Sequence, residues 1–271
     1  KLILNGDILS INKNLEIVNK KIIFPNNFKI CLSKESTLII KDSIITSQEA
    51  VNYLTIKGCD KDSGSILIQN SKTDLDNIKL VNLVSPKLPL RILYGGLNVI
   101  GSEFYFNKLD IIEAKSEDGV NFVDSKVKGE SISADKIAYD AIDSDFSHVE
   151  IGNVFCNKIG NDCVDFSYSN GKISSIQANE VGDKVVSAGE SSNLDLGFIN
   201  VINSFIGLAS KDSSIINVSE YDYSLVKIPL AAFIKKKEFN SPSIFIKKTL
   251  NGILDDSYVS YDSNVKVLNK N

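Results

Sequence analysis

The sequence predicts an all-β chain, a single-stranded right-handed parallel β-helix (solenoid) with coils of about 22 residues. Three observations predict it. Between Glu117 and Ser214 the chain repeats every 22 residues: Asp118-Gly-Val-Asn121, Asp140-Ala-Ile-Asp143, Asp162-Cys-Val-Asp165, Lys184-Val-Val-Ser187 and Ile206-Gly-Leu-Ala209. Gly160 and Gly182 share one offset, as do Glu190 and Asp212. A fixed period of this size marks a solenoid, in which each turn buries its apolar side chains only by stacking on its neighbours. Second, short apolar runs alternate with polar residues, as in Val149-Glu-Ile151 and Leu194-Asp-Leu196, and are punctuated by Gly, Asn, Ser, Pro and Asp. Third, no stretch sustains the 3.6-residue period of a long amphipathic helix.

In chain order, residues 1–57 read as N-terminal coils and cap. Their strands are Leu2-Ile-Leu4, Leu15-Glu-Ile-Val18, Lys21-Ile-Ile-Phe24, Phe28-Lys-Ile-Cys-Leu32, Thr37-Leu-Ile-Ile40, Ser43-Ile-Ile-Thr46 and Tyr53-Leu-Thr-Ile56. Residues 58–246 read as the central coils, interrupted by a loop holding Pro86 and Pro89 that would project, either as a plain surface loop, the commoner case, or as the wall of a binding groove. Ser243-Ile-Phe-Ile246 and the segments after it drift off the period. Residues 247–271 are therefore expected to cap the exposed sheet edge. One continuous domain over 1–271 follows from the repeat.

The chain has 271 residues, 43% of them hydrophobic and 24% charged, with a net charge of −4. That is ordinary globular composition with enough length for a large core. No strongly basic face favours nucleic acid; Lys235, Lys236 and Lys237 read as a solvated edge. No run of 18 apolar residues predicts a membrane span. The absence of methionine reads as a mature product or a piece of a larger protein. Cys31, Cys59, Cys156 and Cys163 lack CxxC spacing. The Cys156 to Cys163 spacing permits a bridge, but no disulfide framework is evident. His148 reads as a surface or turn residue. Tyr94, Tyr139, Tyr168, Tyr221 and Tyr223 read as exposed aromatics, either sugar-stacking platforms or packing on the solenoid surface.

Stacked coils lie about 4.8 Å apart, so the repeat puts acidic residues into columns. One column is Asp118, Asp140, Asp162, Lys184; the next is Asn121, Asp143, Asp165, Ser187. Carboxylates at that separation repel unless a cation, a raised pKa or a lysine neutralises them. A hard divalent cation such as Ca²⁺ suits oxygen ligands of this kind. An Asp/Asn turn ladder bonded to backbone N–H groups is the competing reading. Lys184 and Lys211 are the candidate general bases, and Asp183, Glu190, Asp212 and Tyr168 lie beside them.

The phrases Tyr139-Asp-Ala-Ile-Asp-Ser-Asp-Phe146, Gly160-Asn-Asp-Cys-Val-Asp-Phe-Ser167, Gly182-Asp-Lys-Val-Val-Ser-Ala-Gly-Glu-Ser-Ser192 and Ala209-Ser-Lys-Asp-Ser213 together resemble the right-handed β-helix, pectate-lyase-like superfamily. More narrowly, residues 139–240 look like β-helix regions of bacterial envelope proteins, some of them fused to CotH-type kinase-like domains. One calcium-dependent group in that superfamily carries an Asp-Asp-x-x-Asp turn, which Asn161-Asp162-Cys-Val-Asp165 resembles with Asn161 in place of its first Asp.

The resemblance implies a secreted or cell-envelope protein acting on or binding an acidic polysaccharide. Asp140, Asp143, Asp162 and Asp165 would be calcium ligands, and Lys184 or Lys211 the base of a lyase or epimerase. Asp183, Glu190, Asp212 and Tyr168 would contact the glycan. The alternative is a non-catalytic structural or binding module of a larger surface protein.

Overall fold

The computed structural model describes residues 2–3, 7–48, 53–60, 63–87, 93–250, 257–259 and 263–270. These residues contain no helix. Their strands form one hydrogen-bonded, parallel network, with a single antiparallel bridge between Lys34 and Ser63. The expected β-solenoid is therefore present.

Three sheet faces run the length of the solenoid. Early coils make them from separate short strands: Lys21–Phe24 and Ile44–Ser47 on the first face, Lys29–Leu32 and Tyr53–Gly58 on the second, Leu15–Val18 and Thr37–Lys41 on the third. Ile8–Ile11, a strand absent from the sequence reading, opens the second face by pairing with Lys29–Leu32. Later coils bend one continuous strand around the corners. His148–Ile159 serves the first and second faces, and Asn170–Gly189 serves all three. Coil length is 22 residues through the centre but 28 and 31 in earlier coils. The 31-residue coil contains the loop with Pro86; residues 88–92, including Pro89, lie outside the described residues.

Alternation along each strand sends one set of side chains into the bore. Ile142, Val164, Val186, Leu208 and Leu230 stack there in register, all buried. Each such burial stabilises the fold by about 1.5–3 kcal/mol.

The corner between the third and first faces is held by serines. Ser43, Ser71, Ser102, Ser125, Ser147, Ser169 and Ser192 each donate a backbone N–H to the hydroxyl of the serine one coil on, at 2.9–3.2 Å. Each hydroxyl donates in turn to a carbonyl just before it in its own coil, at 2.6–3.0 Å. The residue before the serine is left-handed in coil after coil: Asp42, Asn70, Gly101, Asp124, Phe146 and Tyr168 have φ between 47° and 57°. At the corner before the third face, Gly160 and Gly182 pack against the preceding coil. A Cβ there would sit 1.9 Å from the Ala138 carbonyl oxygen and 2.1 Å from that of Gly160, respectively.

Two expectations need correction. The cysteines form two disulfides, Cys31–Cys59 and Cys156–Cys163, with Cα–Cα distances of 5.5 and 5.9 Å. The first joins neighbouring strands one coil apart, a proximity that sequence spacing hides. Tyr221 is wholly buried, and its hydroxyl donates to the Pro229 carbonyl at 3.0 Å. In the expected cap, Ser243–Thr249 and Asn264–Lys270 pair with each other and continue the coil stacking; residues 251–256, 260–262 and 271 lie outside the described residues.

Candidate functional site

The site residues sit on the third face and its two corners. Asn98, Asn121, Asp143, Asp165 and Ser187 lie in one register column. Asp118 pairs with Asp140 in the column beside it. Asp140 then links forward: its Oδ1 accepts the Asp162 backbone N–H at 2.7 Å and the Asn161 amide at 2.6 Å. Asp162 repeats the motif, accepting the Lys184 backbone N–H at 2.9 Å and its ammonium at 3.1 Å. The Lys184 ammonium also donates to Asp183. Asp140, Asp162, Asp183 and Lys184 are thus brought together as a stack in which Asp140 and Asp162 each satisfy the next coil's backbone and Asp183 shares the Lys184 ammonium.

The second column is bonded more sparsely. The Asn121 amide donates to Asp118 at 3.0 Å and Asp143 at 3.2 Å. Buried Asp165 Oδ1 and Ser187 Oγ accept or donate no hydrogen bond. Lys211 approaches Asp165 Oδ1 to 3.9 Å.

Burial dominates the electrostatics. It pushes Asp143 up to about 9, with repulsion from Asp118 adding to it. Burial likewise pushes Asp118 up to about 7 against the Asn121 hydrogen bond, and Asp162 to about 7 against the Lys184 charge. Asp140 and Asp145 are raised by burial as well. Protons shared among these carboxyls relieve the ladder's repulsion at neutral pH. Burial would lower Lys184, but Asp162 and Asp183 outweigh it and hold the ammonium above the ordinary lysine value.

At the serine corner, the segment after residue 233 crosses beside the ladder. Asp212 Oδ1 accepts the backbone N–H groups of Lys235 and Lys236 at 2.6 and 2.8 Å, and Ser213 exchanges hydrogen bonds with Asn240. Lys236 then reaches Glu190 at 2.5 Å. Burial opposes the Glu190 charge, but the Lys236 bond outweighs it and lowers the Glu190 pKa. Tyr168 stacks on Phe146, with centroids 4.8 Å apart and planes 7° apart, and Phe239 packs against Tyr168 at 6.0 Å. Glu190, Asp212 and Tyr168 therefore gather at this strap, and Lys211 beside Asp165, rather than around Lys184.

The four expected calcium ligands divide between two columns. Asp140 and Asp162 already serve backbone N–H groups, and Asp143 Oδ1 accepts the Ser144 N–H at 2.9 Å. Among the described residues no set of three or more His, Cys, Asp or Glu side chains is placed to hold a metal ion.

Phe146, Lys236 and Phe239 were not singled out as site residues by sequence reasoning. Phe146 carried a signal, since it and Tyr168 share the offset before a serine. The strap carried none, because its partners lie one or more coils away. No protein-family model, curated protein or solved structure matches the chain.

Proposed function

We propose that this chain is a non-catalytic, polysaccharide-binding β-solenoid module of a secreted or cell-envelope protein, and that its ligand is acidic. The Phe146–Tyr168 pair carries the reading. Both rings are exposed, at 59% and 46%. Both occupy left-handed corner positions where earlier coils use Asp, Asn or Gly. Bulky residues are disfavoured there by about 1–2 kcal/mol, and exposing two rings adds to the cost. A preassembled aromatic shelf, two rings stacked on one another whose exposed surface a sugar ring can pack against, accounts for both. Lys235 and Lys237, exposed on the adjoining strap on either side of the Glu190-paired Lys236, offer an acidic polymer its counter-charge. The two disulfides support an oxidising compartment outside the cytosol.

A calcium-dependent β-elimination or epimerisation is the second reading. The buried Asp165 oxygen, which faces Lys211 but accepts no hydrogen bond, favours it. Less supports it than the first, because a general base needs a pKa near working pH and Lys184 holds its proton more tightly than a free lysine.

Affinity electrophoresis through gels containing polygalacturonate, alginate or a neutral glucan tests the proposal. Retardation by an acidic polymer, weakened by added salt and lost in a Phe146→Ser/Tyr168→Ser variant, is expected. Equal mobility of wild type and variant in every gel would remove the proposal.

A further inference from the structure

The second face carries a separate feature that the shelf does not explain. Its outward central column runs Ser133, Phe155, Gln177, Asn200 in register. Phe155 is 40% exposed at the middle of a flat sheet. On one side the Asn157 amide donates to Asp135 at 2.7 Å, and the Asn179 amide donates to Asn157 at 3.0 Å. On the other, the Ser175 hydroxyl donates to Asn153 at 2.8 Å. These cross-coil bonds fix the polar side chains that frame the ring. A shallow groove of about 410 Å³ lies over this surface.

The composition of the frame sets it apart. On the first face the outward positions of the same coils include Lys126, Lys128, Glu150 and Lys172. Among the residues that line the groove Asp135 alone is charged, and it is already engaged by Asn157; Asp110 and Asp222 continue the column one coil beyond each end. The remaining polar groups are amides and hydroxyls, which both donate and accept, and the exposed Ile202 adds apolar surface at one end. An anionic ligand finds no counter-charge in the groove, and the one carboxylate within it is already bonded to an amide. A ligand built of hydroxyls, themselves donors and acceptors, with an apolar ring face, matches both the polar frame and the phenyl ring. The Asn157 and Asn179 amides, already held in place, lose little freedom on binding, which lowers the cost of association.

We infer that this face is a second binding site, specific for uncharged oligosaccharide, with Phe155 as the stacking platform and Gln177 and Asn200 as hydroxyl contacts. It is independent of the shelf at Phe146 and Tyr168 and does not rest on the acidic-polymer reading.

Calorimetric titration with neutral hexasaccharides (malto-, cello-, xylo- and chito-series) tests the assignment. At least one is expected to bind wild type saturably, with little salt dependence. Phe155→Ala and Gln177→Ala should each weaken it, the former by about tenfold or more, without changing the melting temperature. Phe155→Tyr should retain binding, and Phe146→Ser/Tyr168→Ser should leave it unchanged. Failure of all four sugars to bind, wild-type affinity in both Phe155→Ala and Gln177→Ala, or loss confined to the shelf variant would each overturn the assignment. The last result would leave the shelf as a glycan site.

Discussion

Lys184 meets Asp162 twice: its backbone N–H and its ammonium both donate to the same carboxylate oxygen, at 2.9 and 3.1 Å. One carboxylate thus closes a coil-to-coil hydrogen bond and neutralises the lysine that follows it one coil on. The side chain of Asp162 is almost wholly buried, so the pair holds the ladder together from within.

Removing the carboxylate should therefore be costly. Asp162→Ala leaves a backbone N–H without its acceptor and the ammonium with Asp183 alone, and is expected to destabilise the protein by about 3 kcal/mol. Asp162→Asn keeps an acceptor and should cost less than half as much. Urea unfolding of both variants checks the order; equal losses would show that the acceptor does not matter.

Stability should fall as pH rises. Asp118 and Asp162 at about 7 and Asp143 at about 9 all lie above the ordinary 3.8. The folded protein holds protons that the unfolded chain releases above about pH 4. Their stabilisation is complete below that value and is lost as pH climbs through 7 and then 9. Glu190, lowered from 4.5, acts in the opposite sense, but its change falls at more acid pH. Between about pH 5.5 and 9 the melting temperature is expected to drop by about 4 °C or more. Asp143→Asn should flatten the upper part of that fall. A melting temperature that rises with pH would contradict these protonation states.

The serine corner gives a third expectation. Ser147→Ala strips the acceptor from the Ser125 N–H and a donor from the Asp145 carbonyl, and should cost about 1–3 kcal/mol. Ser174→Ala, at an exposed position, should fall within about 0.5 kcal/mol of wild type. Thermal melts of the two variants measure the contrast.

Gly182→Ala would drive a methyl group to 2.1 Å from the Gly160 carbonyl oxygen. Backbone cannot yield as a flexible side chain does, so a loss of about 3 kcal/mol is expected. Denaturant midpoints check it, and a near-neutral result would mean that the corner can open.

Much of this architecture is legible in the sequence where coils keep a constant length. Gly160 and Gly182, the Asp118 and Asp140 pair, and the Asn121 to Ser187 column follow from the 22-residue offset alone, because equal spacing forces equal position. The serine corner runs through the same coils, yet the spacings of 28 and 31 residues before Ser102 hide its full length. Loops add residues there without moving the strands, so sequence distance stops measuring height along the axis. The same limit concealed the Cys31–Cys59 bridge and the strap that carries Lys236 to Glu190. Side-chain function was less legible than position: the column already sets Lys184 one coil after Asp162 as either a base or a neutralising charge, and the two hydrogen bonds to Asp162 and the bond to Asp183 that decide for the latter emerge only with the side chains in place.

The claim that the aspartate ladder is structural, rather than a calcium centre serving a reaction, is tested most directly by calorimetric titration of Ca²⁺ into metal-free protein, with Asp162→Ala and Asp165→Ala as controls. The account predicts no saturable heat in any of the three. Saturable binding to wild type that vanishes in both variants would contradict it and restore calcium-dependent elimination as the working mechanism.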